Sequence, residues 1–345
     1  MPADEIYFNI FYIFFQLIIQ YNMIKSMKNS AEALIFALFV AAAGILASSG
    51  KYSSYVLDGI KLWAAVVLPS LFPYFFITAV LSSLSVTGKL SALFAPATKK
   101  LFNTGGIVAY VFLISILSGY PIGAKMISDL KTRGLLSESE SVRAAAFCST
   151  SSPMFLIGSV GTIMFENIRF GICLFVCHII SALLVGVAFS FYKRKDTPDD
   201  KTFSPQKTDN VLYDSVWSAI TSVLFVGGLI TIFYLFTEIL SSVGILKPFI
   251  YVAELVLRDE NAAEGLVFGI FECTKGLKKL SRGGINFLTL PLAAAMCGMG
   301  GLSVICQSYS YLKKAKIKAA PFLKAKMCAA VLNFIVGLPI SAIFL

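Results

Sequence analysis

Long apolar runs broken by short polar stretches fill this chain almost from end to end. They fall near residues 6–24, 31–49, 62–84, 105–130, 144–165, 170–192, 216–243, 262–280, 284–309 and 325–345. A helix needs about 20 predominantly apolar residues to cross the hydrocarbon core of a bilayer, and most of these runs reach that length. Ten helical elements is therefore the upper count, and the predicted fold is an all-α polytopic membrane protein. Spanning β-strands are excluded, because they alternate apolar with polar residues and these runs do not.

Four of the runs are interrupted internally. The run at 105–130 is split by Gly119, Tyr120, Pro121, Ile122 and Gly123, and the run at 262–280 by Glu272, Cys273, Thr274, Lys275 and Gly276. Both predict re-entrant hairpins that enter and leave the membrane on one side. Two further helices are broken, one at Ser149, Thr150, Ser151, Ser152 and Pro153 behind Cys148, the other at Cys297, Gly298, Met299, Gly300 and Gly301.

The order of these features occurs twice. An Asp followed by Trp (Asp58 and Trp63, then Asp214 and Trp217) leads into an apolar helix, a hairpin, a broken helix and a closing span, and Ala144 to Cys148 (AAAFC) is echoed by Ala293 to Cys297 (AAAMC). This is an internal repeat. It divides the chain into N-terminal transmembrane helices at 1–54, a first unit at 55–192, a polar linker at 193–213 and a second unit at 214–345. Met23 and Met27 each precede a lysine and an apolar run, so the first 22 residues are either an extra helix or lie ahead of the true start.

Composition sharpens the class. Hydrophobic residues make up 57% of the 345 and charged residues only 14%, against about 25% in soluble domains. The net charge of +10 sits in short clusters between apolar runs, a pattern that orients helices in a bilayer and argues against a nucleic-acid partner. If each unit crosses three times and the hairpins do not cross, the units are inverted. The linker and the loop 313–326 then share the cytoplasmic side, with 19 of the 29 basic residues. The seven cysteines form no CxxC pair, the single histidine, His178, rules out a histidine metal cluster or a Ser/His/Asp triad, and no phosphate-binding loop occurs. No enzyme is expected, and a Ser149 or Ser151 nucleophile with Lys125 as base has little to support it.

The four breaks carry the chemistry. Unwound backbone inside a membrane leaves N–H and C=O groups that protein, water or a ligand must satisfy, and paired breaks in inverted repeats form solute sites near mid-membrane. The candidate solute-binding residues are Gly119, Tyr120, Pro121, Gly123, Ser149, Thr150, Ser151, Ser152, Glu272, Thr274, Gly276, Cys297, Gly298 and Gly300. The serine and threonine hydroxyls suit a neutral polar solute, or else repair the hydrogen bond that Pro153 removes. Glu272 is an acid at membrane depth that couples transport to Na⁺ or H⁺, bonds a solute hydroxyl, or pairs with Lys275 or Lys125. No cofactor is expected beyond such a coupling ion. Lys125 is either buried or reaches to the membrane surface.

The stretches Leu62 to Pro73 (LWAAVVLPSLFP), Ser118 to Lys125 (SGYPIGAK) and Ser149 to Pro153 resemble the YlbJ-type sporulation integral membrane proteins of spore-forming bacteria. Phe271 to Gly276 (FECTKG) resembles the second nucleoside-recognition, or Gate, unit of that family. The resemblance covers about residues 55–343 and extends to concentrative nucleoside transporters. It implies two Gate units and a solute held by two hairpins and two broken helices, with a nucleoside-like molecule as candidate. It also implies a role in heat-resistant spore formation, in the plasma membrane of the mother cell or forespore. Partners would be the bilayer, the solute, and further copies of the chain or other sporulation membrane proteins. The resemblance also implies an asparagine where this chain carries Lys275, and another near Ser152.

Overall fold

The structure, a computed structural model, describes residues 49–83, 86–195 and 210–344. The apolar runs at 6–24 and 31–48 and most of the linker lie outside the described residues.

All regular structure among the described residues is helical. Helix α1 (Ser49–Leu62) passes through a π-helical stretch, Trp63–Val67, into α2 (Leu68–Ser83). Helix α3 (Val86–Phe102) meets α4 (Gly106–Ser118) at a bend of 94°. Helices α4 and α5 (Ile122–Thr132) form the first hairpin. The first broken helix is α6 (Glu138–Phe147) plus a π-helical half, Met154–Met164, and α7 (Ile168–Phe189) closes the first unit. The second unit starts with α8 (Val211–Ser242) and a short helix α9 (Lys247–Leu257). Its hairpin is α10 (Glu260–Phe271) and α11 (Cys273–Leu280), its broken helix α12 (Thr289–Met299) and α13 (Gly301–Lys314), and its closing helix α14 (Ala319–Phe344).

Polar side chains set where the helices begin. Ser137 Oγ accepts from the Glu140 N–H (3.2 Å), Asn167 Oδ1 from Phe170 (3.1 Å), Asn210 Oδ1 from Tyr213 (3.1 Å) and Asp259 Oδ1 from Ala262 (3.0 Å). Each satisfies one of the N–H groups a first turn leaves open, worth about 1 kcal/mol.

Five helices among the described residues are long and apolar enough to cross a membrane, or six if the bent pair is one span. In α7 the buried face carries Phe170, Leu174, Cys177 and Val185, and the exposed face carries Ile172, Val176, Ile180, Leu183 and Val187. A helix apolar on both faces has no stable place at a water interface; lipid covers its outer face. The protein is thus a multi-pass, all-helical integral membrane protein.

Helices α3 and α9 were not predicted. Both are amphipathic, with Lys99 and Lys100 in the last turn of α3 and no buried residue in α9. Their lengths, 17 and 11 residues, and the charged residues within them leave no uninterrupted apolar run of spanning length, so a reading built on long runs passes over them.

Hydrogen bonds tie the polar termini into two ends of the bundle. At one end Asn103 Nδ2 donates to the Arg194 carbonyl (3.1 Å), Arg143 Nη1 to that of Tyr192 (3.0 Å) and Ser128 Oγ to that of Tyr311 (2.8 Å), while Lys318 pairs with Glu138 (3.6 Å). At the other end Lys279 pairs with Glu264 (2.6 Å), and Asn286 Nδ2 donates to Asp259 Oδ2 (3.4 Å). The closing helices α7 and α14 pack antiparallel: Phe170 meets Phe344 at 6.3 Å between ring centres, and Val185 packs with Ala325. One residue of the basic loop 313–326 is misplaced by sequence reasoning. Lys326 belongs to α14 and is 1% exposed, deep in the protein.

In a background free of reactive native cysteines, Lys195→Cys and Lys316→Cys should react with a membrane-impermeant maleimide from the same side of the membrane. Lys278→Cys should react from the opposite side. Labelling of Lys195→Cys and Lys316→Cys from different sides would contradict the arrangement.

Candidate functional site

The four breaks meet in the interior, and all fourteen predicted site residues are buried there. Each hairpin tip lies against a broken helix. Gly119 ends α4 with φ +81°, and a Cβ at that position would come within 2.9 Å of the Ser152 nitrogen. In the second unit Gly301 has φ +72°, and a Cβ there would approach the Gly269 carbonyl to 2.8 Å and the Cys273 nitrogen to 3.1 Å. Both positions combine left-handed backbone with a contact that leaves no room for a side chain.

The unwound backbone is met residue by residue. Ser115 Oγ, one turn back from the first hairpin tip, donates to the Cys148 carbonyl (2.5 Å) and shares a hydrogen bond with Thr150 Oγ1 (2.9 Å). The Ser151 N–H donates to His178 Nε2 (2.8 Å), so the imidazole accepts at that nitrogen and is held against the first broken helix. Ser152 Oγ accepts from the Phe155 N–H (3.2 Å) and caps the half-helix after Pro153. Ser149 contributes its carbonyl, which accepts from Lys326 Nζ at 2.9 Å; its hydroxyl has no partner among the described residues. In the second unit Glu272 Oε2 accepts from the Lys275 N–H (2.6 Å) and caps α11. Cys273 Sγ donates to the Met296 carbonyl (3.4 Å).

One chain of bonds crosses between the units. Lys326 Nζ donates to Tyr120 Oη (2.9 Å), and Tyr120 Oη donates to the Cys297 carbonyl (3.3 Å). The ammonium also lies over the Tyr120 ring, 4.0 Å from its centre, a cation–π contact.

A cavity of about 50 Å³ lies among the breaks, and every break contributes to its wall: Tyr120, then Ser151 and Ser152, then Glu272 and Thr274, then Gly300. Gly119, Pro121, Gly123, Ser149, Thr150, Gly276, Cys297 and Gly298 are not on that wall. They are the tight backbone behind it; a Cβ at Gly123 would collide with the Cys148 carbonyl and one at Gly298 with Asn333 Nδ2. The cavity is large enough for a few waters and far below the roughly 300–1,000 Å³ typical of small-molecule sites.

A second hollow, about 330 Å³, opens between α2, the first hairpin and α8, and carries Lys125, Asp129, Arg133, Asp214, Ser215 and Ser218. It lies one helical turn from the cavity. Leu71 lines the cavity and Phe75 the cleft on α2, and Val226 and Ser222 do the same on α8; four residues of helix span about 6 Å. Phe75, Ile122, Val223 and Val226 pack in one apolar cluster there.

The structure decides between the alternatives left open for the lysines. Lys125 is partly buried in the cleft, with Nζ donating to Ser218 Oγ (3.0 Å) and Ser222 Oγ (3.5 Å) rather than facing Ser149 or Ser151, so the dyad considered for an enzyme does not form. Glu272 pairs with neither lysine through an ammonium. Lys275 turns its ammonium to Glu238 (3.0 Å) and Thr237 Oγ1 (2.7 Å) on α8, over the rings of Tyr234 and Phe268. Glu238, Gln307 and Lys326 escaped the sequence reading. Glu238 is the one charged residue of the run 216–243, a signal that was present, and Gln307 lies among the polar residues that end the run 284–309. Lys326 sits at the start of its run behind Lys324 and looks like loop.

These features define an all-helical integral membrane protein with two hairpins and two broken helices around a small, mostly apolar cavity edged by a few polar side chains. No family model matches the chain. The chain is similar to the sporulation integral membrane protein YlbJ of Bacillus subtilis (strain 168), 28% identical over 329 residues, covering 88% of this chain and 80% of that protein.

The side chain of Lys275 is 4% exposed and that of Glu238 24%. Removing one partner of a buried pair costs about 3–5 kcal/mol when the other is left without compensation. Glu238→Gln, which strands the more buried ammonium, should therefore lower the thermal stability of the detergent-solubilised protein more than Lys275→Met does. The reverse ranking would mean that the pair is not what holds Lys275.

Proposed function

We propose that this chain is a sporulation membrane protein whose core moves or senses a small polar solute. The observation that carries this reading is that all four breaks, two from each unit, contribute to the wall of one cavity, adding Ser151, Ser152, Glu272 and Thr274 to an otherwise largely apolar lining. The recurring order of elements and the antiparallel closing helices support an inverted pair of Gate-type units, the architecture in which transporters hold a solute at mid-membrane. The similarity to YlbJ supports a role in sporulation, in the plasma membrane of the mother cell or forespore.

A nucleoside-like solute remains the candidate, on the strength of the clustered hydroxyls and the acid. It does not fit the cavity of about 50 Å³ as it stands. The adjoining cleft of about 330 Å³ is of the right order for one. On this reading solute enters the cleft at the end of the bundle bearing Arg133 and Asp214, and reaches the breaks when the apolar layer of Phe75 and Ile122 moves aside. Glu272 then has two tasks, capping α11 and meeting the solute or a coupling Na⁺ or H⁺. The chain acts without a catalytic step, and further copies or other sporulation membrane proteins are its partners. A second reading is a structural membrane protein that shares the architecture, and the small size of the cavity favours it.

Three measurements separate the readings. Deletion of the gene should leave vegetative growth intact and yield spores of reduced heat resistance; normal heat-resistant counts would remove the sporulation role. Reconstituted protein should take up labelled nucleosides into proteoliposomes, and the absence of uptake across a panel of polar solutes favours the structural reading. Glu272→Gln keeps an oxygen able to cap α11, so the protein should fold and insert. Loss of a charge-assisted bond worth about 1.5–3 kcal/mol should nonetheless lower uptake and spore heat resistance roughly tenfold or more. Wild-type uptake and spores from this variant would make Glu272 a structural acid only.

A further inference from the structure

The carbonyl oxygens at the end of a helix carry the negative pole of its dipole, and a cation placed there is stabilised. Helix α6 ends at Phe147, its capping residue is Cys148, and the next carbonyl, that of Ser149, points to an ammonium at 2.9 Å. That ammonium belongs to Lys326, 177 residues further along the chain and on a different helix. Its other oxygen partner is Tyr120 Oη at 2.9 Å, from the tip of the first hairpin. The Tyr120 ring lies 4.0 Å and the Phe322 ring 5.8 Å from the nitrogen.

No carboxylate among the described residues lies within 4 Å of this nitrogen. Glu272 spends Oε2 on the Lys275 N–H, and Glu238 is held by Lys275. His178, on α7 beside the first break, accepts a hydrogen bond at Nε2. Cys273 and Cys297 face the region from the second unit, and the carbonyl of Cys297 is taken by Tyr120. The ammonium is therefore held by a carbonyl, a hydroxyl and aromatic faces, a set of neutral donors of the kind that holds a small desolvated monovalent cation. Nor does Lys326 reach the cavity wall, where Tyr120 stands. Its charge meets backbone and not solute.

We propose that the Lys326 ammonium is a tethered cation, occupying the place between the first hairpin tip and the first broken helix that a mobile ion such as Na⁺ would otherwise fill. The two breaks close on a charge supplied by the chain, and the protein requires no Na⁺ to hold them together. This holds whether or not a solute is moved, so it stands or falls apart from the transport reading. Lys326 is a positioning residue, acting on a solute only through Tyr120 and Ser149.

The test is thermal unfolding of the full-length protein in detergent, with NaCl, KCl and choline chloride compared at equal ionic strength. The wild type should show the same Tm in all three. Lys326→Ala opens the space around the Ser149 carbonyl and Tyr120. It should have a lower Tm in choline, which NaCl or KCl raises selectively and dose-dependently, by on the order of 2–4 °C. Lys326→Met fills the space without charge and should be destabilised with no cation response. Stabilisation of the wild type by Na⁺ above choline would overturn the proposal, as would a Lys326→Ala protein indifferent to the cation. If Lys326→Ala does not fold, Lys326→Arg and Lys326→Met decide. Folding of the charged variant alone supports a required charge, and a Lys326→Met protein as stable as wild type refutes it.

Discussion

Backbone that is not hydrogen-bonded costs several kcal/mol per group inside a membrane, and this protein unwinds its backbone at four places. The rest of the interior is arranged around meeting that cost. Ser115 reaches the Cys148 carbonyl, His178 the Ser151 amide, Lys326 the Ser149 carbonyl, Tyr120 the Cys297 carbonyl and Glu272 the Lys275 amide. Each of these partners comes from another element or from the break itself. None can be moved without uncovering a polar group elsewhere, and this interdependence is what makes four separate interruptions into one site.

Two buried lysines divide the electrostatic work. Lys275 is neutralised by Glu238 and locks the second hairpin onto α8. Lys326 meets a carbonyl and a hydroxyl, and its bonds link both units through Tyr120. Both are long side chains whose stems cross apolar packing before the charge is reached, an arrangement lysine suits well. The acid singled out in the sequence, Glu272, is in the structure a helix cap, its Oε2 accepting from the Lys275 N–H.

The apolar layer between the two hollows gives the core a direction. Polar side chains lie on both sides of it, in the cleft and at the breaks, with Phe75, Ile122, Val223 and Val226 between them. Side chains pack there without backbone hydrogen bonds across the layer.

The membrane class and the position of every break were legible along the chain, because they depend on local properties: apolar length, glycine and proline. Tertiary structure decided what meets the broken backbone. The partners Lys326 and Ser149 are 177 residues apart and Lys275 and Thr237 are 38 apart, separations at which no local pattern signals contact. Lys326 is the clearest case. Next to Lys324 at the head of an apolar run it has the sequence character of a loop, and only the packing of α14 against the first unit carries its ammonium into the interior. A run of residues shows where the backbone will be left unpaired; which side chain arrives to pair it depends on how helices from the two units cross.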